Sequence, residues 1–160
     1  MARLLLVLLC SLLPFSILAA SPDGIHQFLN SRQVVTQVFF AKQTVDLSAS
    51  VKQQLNRVAN DLATYEKQQM LIRVEGFASS EGNDHYNLNL SLRRAMAVAE
   101  YLQQRHKLGV SVFLTGFGER GPAADKLTEM RRVDIAVYKK NPASKAFFDD
   151  QGKVERVILR

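Results

Sequence analysis

The feature that most constrains this chain is an arginine on the apolar side of a helix. From Val74 to Leu102 the sequence reads VEGFASSEGNDHYNLNLSLRRAMAVAEYL: the end of an apolar strand, a loop of small residues, then a long helix. Advancing about 100° per residue from Asn87 puts Leu90, Val98 and Leu102 on one arc. Asn87, Ser91 and Arg94 fall inside that arc, and Arg93 points outward. An unpaired buried charge costs on the order of several kcal/mol, so the fold must bring partners to Arg94. Two outcomes fit the pattern. Backbone carbonyls satisfy the guanidinium, or Arg94 lines a pocket with Asn87 and Ser91 on one wall and Arg131 or Arg132 opposite. A carboxylate ligand suits such a pocket, because a guanidinium can hold it bidentately.

Around this helix the other segments alternate in period. Residues 33–41 (QVVTQVFFA) are β-branched and aromatic, the signature of a buried strand. Leu47, Val51, Leu55, Val58, Leu62 and Tyr65 fall at helical spacing, so residues 48–66 are expected to form an amphipathic helix; Asp46, Ser48 and Ser50 are N-cap candidates, with Ser50 and Gln53 spaced as a capping box. Strands are expected at Met70–Phe77, Val110–Thr115 and Arg132–Tyr138, with loop and a short helix over 116–130. The opening helix should run from Asp84 to Arg105, closed by Leu108-Gly109. The fold class is therefore α+β, in the order β-α-β-α-β-(α)-β, with two main helices on one face of a mixed four-stranded sheet. Residues 21–32 read as a loose lead-in with one helical turn. Residues 140–160 form a C-terminal extension: KKNPAS reads as a linker, and KAFFDDQGKVERVILR as a β-hairpin bending at Asp150-Gln151-Gly152.

The first twenty residues are read as a secretory signal peptide: Arg3, an apolar run broken by Pro14, and small residues before Ala20. Cys10 lies inside it and follows Leu9 rather than a small residue, which argues against lipidation. Beyond residue 20 no cysteine remains, so disulfide and thiolate chemistry are not expected. No spanning helix is expected there either. The net charge of +6 falls to +5 without Arg3, which favours anionic partners, and export makes nucleic acid a poor candidate.

Catalytic and cofactor motifs do not accumulate. Gly116, Gly118 and Gly121 match G-x-G-x-x-G, but Pro122 follows at once and no strong helix opens there, so a turn is the better reading. Ala78 to Gly82 lacks the first glycine of a nucleophile elbow. His26, His85 and His106 show no triad or metal spacing, and Glu81, Asp84, Asp149 and Asp150 fall in expected loops. No catalytic residue, metal or cofactor is assigned.

GFASSEG, YNLNLSLRRAMAVAEYL, TGFGERGP and RRVDIAV, in this order and spacing, resemble the OmpA-like C-terminal domain, as found in the peptidoglycan-associated lipoprotein and MotB. The resemblance covers residues 33–139. It implies a non-catalytic periplasmic protein of a Gram-negative cell envelope that binds the peptide stem of peptidoglycan non-covalently, typically diaminopimelate. Any outer-membrane link would run through a partner. By resemblance Arg94 is the ligand-binding arginine, Asn87 the helix asparagine, and Arg131 the first arginine of the closing pair.

Two departures from the family pattern bear on the site. Where the family loop reads G-H-T-D, this chain has Gly76, Phe77, Ala78 and Ser79, so Ser79 replaces the aspartate that meets the ligand ammonium. Where the first strand often ends F-x-F-D or F-D-x-N, Phe40 is followed by Ala41, Lys42 and Gln43. A charge-assisted hydrogen bond contributes about 1.5–3 kcal/mol, so the serine alone implies a loss of roughly tenfold to a hundredfold in affinity. Glu81 or Asp84 is placed to restore the charge; otherwise the pocket takes an anion without an ammonium, or wall binding has given way to protein contacts. The expected site is Arg94, Asn87, Ser79, Arg131, Gln43 and Glu81. The alternative function is an envelope scaffold for a flagellar, secretion or outer-membrane complex, docking partners through the tail hairpin.

Overall fold

The computed structural model describes residues 22–106, 110–120, 127–142, 144 and 155–159. Helix α1 spans Pro22–Asn30, strand β1 Gln33–Phe39, helix α2 Ala49–Lys67, strand β2 Met70–Gly76 and helix α3 Asp84–His106. Strand β3 (Val110–Gly116), the single turn α4 (Leu127–Met130), β4 (Arg132–Lys139) and β5 (Glu155–Leu159) complete the order. The α+β class and the β-α-β-α-β-(α)-β order are as expected. The sheet runs β1-β4-β2-β3-β5. β2 and β3 are parallel, and β4 lies antiparallel between β1 and β2.

The four-stranded sheet gains a fifth strand. β5, the expected second arm of a terminal hairpin, pairs antiparallel with β3, Val110 opposite Leu159 and Leu114 opposite Glu155. The first arm and its bend lie outside the described residues, as do the leader at 1–20 and the Leu108-Gly109 cap.

α2 and α3 cover one face of the sheet, as their apolar stripes require. Val51, Leu55, Ala59 and Leu62 from α2 meet Ala95, Val98, Ala99 and Leu102 from α3 over Val38, Ile72, Val74, Val112, Leu114, Val133, Ile135 and Val137. Full burial of each large aliphatic side chain contributes roughly 1.5–3 kcal/mol. Of the three cap candidates Ser48 is the one that caps α2: its hydroxyl accepts from the Val51 N–H at 3.2 Å, and Ser50 sits in the first turn, 2.9 Å from Ser48 Oγ.

The strands' alternate residues face the other way, and there the lead-in is corrected. Residues 22–30 form a nine-residue helix, because Phe28 has a seat on this second face. Its ring stacks on Tyr138 at 4.9 Å beside Leu71 and Ala136. Lys139 N–H donates to Ser31 Oγ, and Asn141 Nδ2 donates to Gly24 O. Beside this plug lies a buried ionic network. Arg32 bridges Glu75 and Asp134 at 2.7 Å each, and Arg132 Nε donates to Asp134 at 3.0 Å. Arg73 lies 3.5 Å from Glu75, which also accepts from the Tyr138 hydroxyl.

The seating of α3 explains one of its three inward polar residues, Ser91. Gly76 and Gly116 are opposed across β2 and β3. A Cβ on Gly76 would come within 1.8 Å of the Ser91 carbonyl oxygen, and one on Gly116 within 2.8 Å of Leu92 N and Ser91 Oγ. The paired glycines thus form a notch in which α3 rests directly on the sheet. Ser91 fills it and accepts from Gly118 N–H at 2.9 Å. The G-x-G of residues 116–118 is therefore a helix seat and turn; Gly121 lies outside the described residues.

Candidate functional site

The carboxyl ends of β1, β2 and β3 and the start of β4 meet at one end of the sheet. Short backbone bonds knit the loops leaving them: Phe40 N–H to Arg131 O, Phe77 N–H to Arg132 O and Ala78 N–H to Gly118 O, all at 2.7–2.8 Å. Between the β1–α2 loop and the start of α3 lie two adjoining grooves that share Gln43 and Tyr86. One, of about 560 Å³, is lined by Lys42, Gln43, Glu81, Gly82, Asn83 and Tyr86. The other, of about 250 Å³, runs past Thr44, Asp46, Asn89 and Arg93.

Arg94 is fully enclosed beneath these loops, with no exposed surface. Its Nε donates to Thr44 O at 3.0 Å, Nη1 to Phe77 O at 3.1 Å and Nη2 to Ala41 O at 3.1 Å. The ring of Phe40 lies 5.2 Å from its Cζ. Of the two outcomes left open by the sequence, backbone satisfaction is the one seen. One guanidinium fastens the β1–α2 turn on both sides of Lys42 and Gln43 and ties it to the β2–α3 loop. Gln43 holds the bend with φ 58°, a left-handed conformation that non-glycine residues adopt uncommonly. Among the described residues no carboxylate partners Arg94. Burial first, then repulsion from Arg131, lowers its pKa to about 10.

The larger groove is lined by a carboxylate, Glu81. Glu81 Oε1 accepts from Lys42 Nζ at 2.7 Å, and Oε2 accepts from Ser79 Oγ at 3.1 Å with Arg131 Nη1 at 3.5 Å. Ser79, where the family aspartate would stand, is buried and hands its hydroxyl hydrogen to Glu81. The Lys42 ammonium and the Ser79 hydroxyl, with further help from Arg131, hold the Glu81 carboxyl below its ordinary range. Arg131 is largely covered, and its Nε meets no acceptor among the described residues.

The expected site residues thus divide. Ser79, Glu81 and Arg131 converge, Gln43 lines both grooves, and Arg94 lies underneath. Asn87 turns toward the β3–α4 loop, where its Nδ2 donates to Glu119 at 3.0 Å, so it braces that loop. Asp84, the other candidate replacement carboxylate, is exposed and faces Arg120 at 3.9 Å. Lys42 was not singled out from the sequence. The signal was present: a cation in the loop where an acid or amide is usual. Among the described residues no cluster of three or more potential metal ligands occurs.

Residues 39–135 match the OmpA family. The peptidoglycan-associated lipoprotein of Rhizobium meliloti is 32% identical over 106 residues, covering 66% of this chain and 58% of that protein. The peptidoglycan-binding protein ArfA of Mycobacterium tuberculosis is 33% identical over 88 residues, covering 52% of this chain and 26% of ArfA. The crystal structure of the peptidoglycan-associated lipoprotein from Burkholderia pseudomallei superposes with a TM-score of 0.55 at 25% identity, over 63% of this chain and 88% of that one. The chain therefore spans a little over half of the first of these relatives and about a quarter of the second. With the match running from the end of β1 into β4, and with the fold shared, the chain belongs to the OmpA family.

Proposed function

We propose that this chain binds the peptide stem of peptidoglycan non-covalently at the grooves between the β1–α2 loop and the start of α3. The observation that carries the reading is the charge arrangement: Lys42 and Arg131 flank the Glu81 carboxylate, and Arg94 is enclosed under the neighbouring 41–44 turn. Such a site takes a ligand carboxylate on Arg131 and a ligand ammonium on Glu81, the two groups that the end of a diaminopimelate side chain presents. Ser79 orients Glu81 in place of the missing aspartate. Arg94 works chiefly by holding the 41–44 turn and adding positive potential; a ligand touches it directly only if that turn shifts. The relatives named for peptidoglycan binding or association support this partner, and the leader-like segment supports a place in the periplasm. No helix among the described residues is long and apolar enough to cross a membrane.

The test is co-sedimentation with purified sacculi. The unsubstituted protein is expected in the pellet, with Arg131→Gln and Glu81→Gln each shifted substantially to the supernatant and no muropeptides released. Equal pelleting of all three, or none by any, would sink the reading. The scaffold alternative has no specific observation in its favour; residues 155–159 pair with β3 along one edge and end the described sheet.

A further inference from the structure

We propose that Lys42 is an internal occupant of the ammonium position on Glu81, which a ligand must displace. The proposal rests on the site assigned above and concerns how that site discriminates. Glu81 is fixed unevenly. Oε2 is held from two sides by Ser79 and Arg131, whereas Oε1 faces the Lys42 ammonium at 2.7 Å. The backbone on either side of Lys42 is pinned by Arg94 at Ala41 and Thr44, so the turn delivers this side chain to Glu81.

The side chain itself is not pinned: 59% of it is exposed. A lysine is a compact, strongly hydrated charge on a flexible stem, and it exchanges a carboxylate for water at little cost. An incoming primary ammonium takes the same place with the same charge. A ligand bearing carboxylates alone has no means of releasing Lys42 from Glu81 and benefits from its positive charge where it stands. Lys42 therefore raises the threshold for ammonium-bearing ligands and lends attraction to purely anionic ones.

That opposition in sign is the test. Protein expressed from the full sequence, with and without Lys42→Met, is bound to sacculi and competed with meso-diaminopimelate or with pimelate, the same carbon chain lacking both amino groups. Because an exposed ion pair of this kind is weak, Lys42→Met should tighten competition by diaminopimelate about two- to fivefold. Competition by pimelate should weaken or stay unchanged. Tighter competition by both, or weaker competition by diaminopimelate, would overturn the gate while leaving the site intact. Failure of both proteins to pellet would overturn the site and the gate together. Thermal melting of Lys42→Met should match the unsubstituted protein, since the residue is exposed.

Discussion

The two faces of the sheet bury charge by opposite means. On the α1 face, Arg32, Arg73 and Arg132 meet Glu75 and Asp134, and aromatic rings fill the gaps: Arg132 lies over Phe77 at 4.6 Å and Arg73 beside Phe117 and Tyr138. Burial alone would lower the Arg32 pKa, but Glu75 and Asp134 more than reverse it, and its pKa is raised. On the helix face, Arg94 has neutral carbonyls instead of carboxylates, and its pKa falls. The first arrangement closes on itself. The second leaves Arg94 without a carboxylate partner among the described residues, under the loops that border the grooves. Opposed ions join elements on the first face; on the second, one arginine joins two loops through their carbonyls.

Four substitutions can break or sharpen this contrast, taken in order of expected size. Gly76→Ala forces a Cβ into the Ser91 carbonyl and should cost about 3–5 kcal/mol or prevent folding, read by urea denaturation. Asp134→Ala strips the shared partner from Arg32, Arg132 and Gln37 and should cost about 3–5 kcal/mol. A loss under about 1 kcal/mol in that variant would show that the network does not depend on ion pairing. Arg94→Met should cost about 2–4 kcal/mol by orphaning the carbonyls of Ala41, Thr44 and Phe77. Arg94→Lys should recover the charge but not sacculus binding, because an ammonium cannot reproduce the planar fork.

The smallest effect is that of Glu81 on acid stability. Its folded pKa lies below the unfolded one, so its contribution is complete above the ordinary carboxylate range and is lost as pH falls through the lowered value. Melting midpoints measured from about pH 6 down to about pH 3 should therefore drop slightly more for the unsubstituted protein than for Glu81→Gln.

The inward placement of Arg94 was legible from spacing alone, and so were the strands and the two long helices, because period and burial agree there. Its partners were not legible. Ala41 and Thr44 lie about fifty residues away, and no local pattern reports which carbonyls a fold will bring together. Arg73, Glu75, Arg132 and Asp134 alternate with apolar residues, which ordinarily signals a wet face. Phe28, Phe77, Phe117 and Tyr138 cover them instead, from four separate segments. The pairing of the fifth strand with β3 was not legible, because β3 lies about forty residues upstream. Asn87 shared the arc of Arg94 yet faces Glu119, since residues seven apart on a helix lie two turns from each other.

The glycine notch has a consequence for the thermodynamics of recognition. With Gly76 and Gly116 letting α3 touch the sheet through backbone atoms, the wall carrying Tyr86, Asn89 and Arg93 is already immobilised before any ligand arrives. The opposite wall is fastened through Arg94. What remains to be ordered on binding is a few side-chain rotors, Lys42 foremost, at about 0.5–1.5 kcal/mol each. Association should therefore show little loss of backbone entropy, and hydrogen exchange at the amides of α3 should change little when the groove is filled.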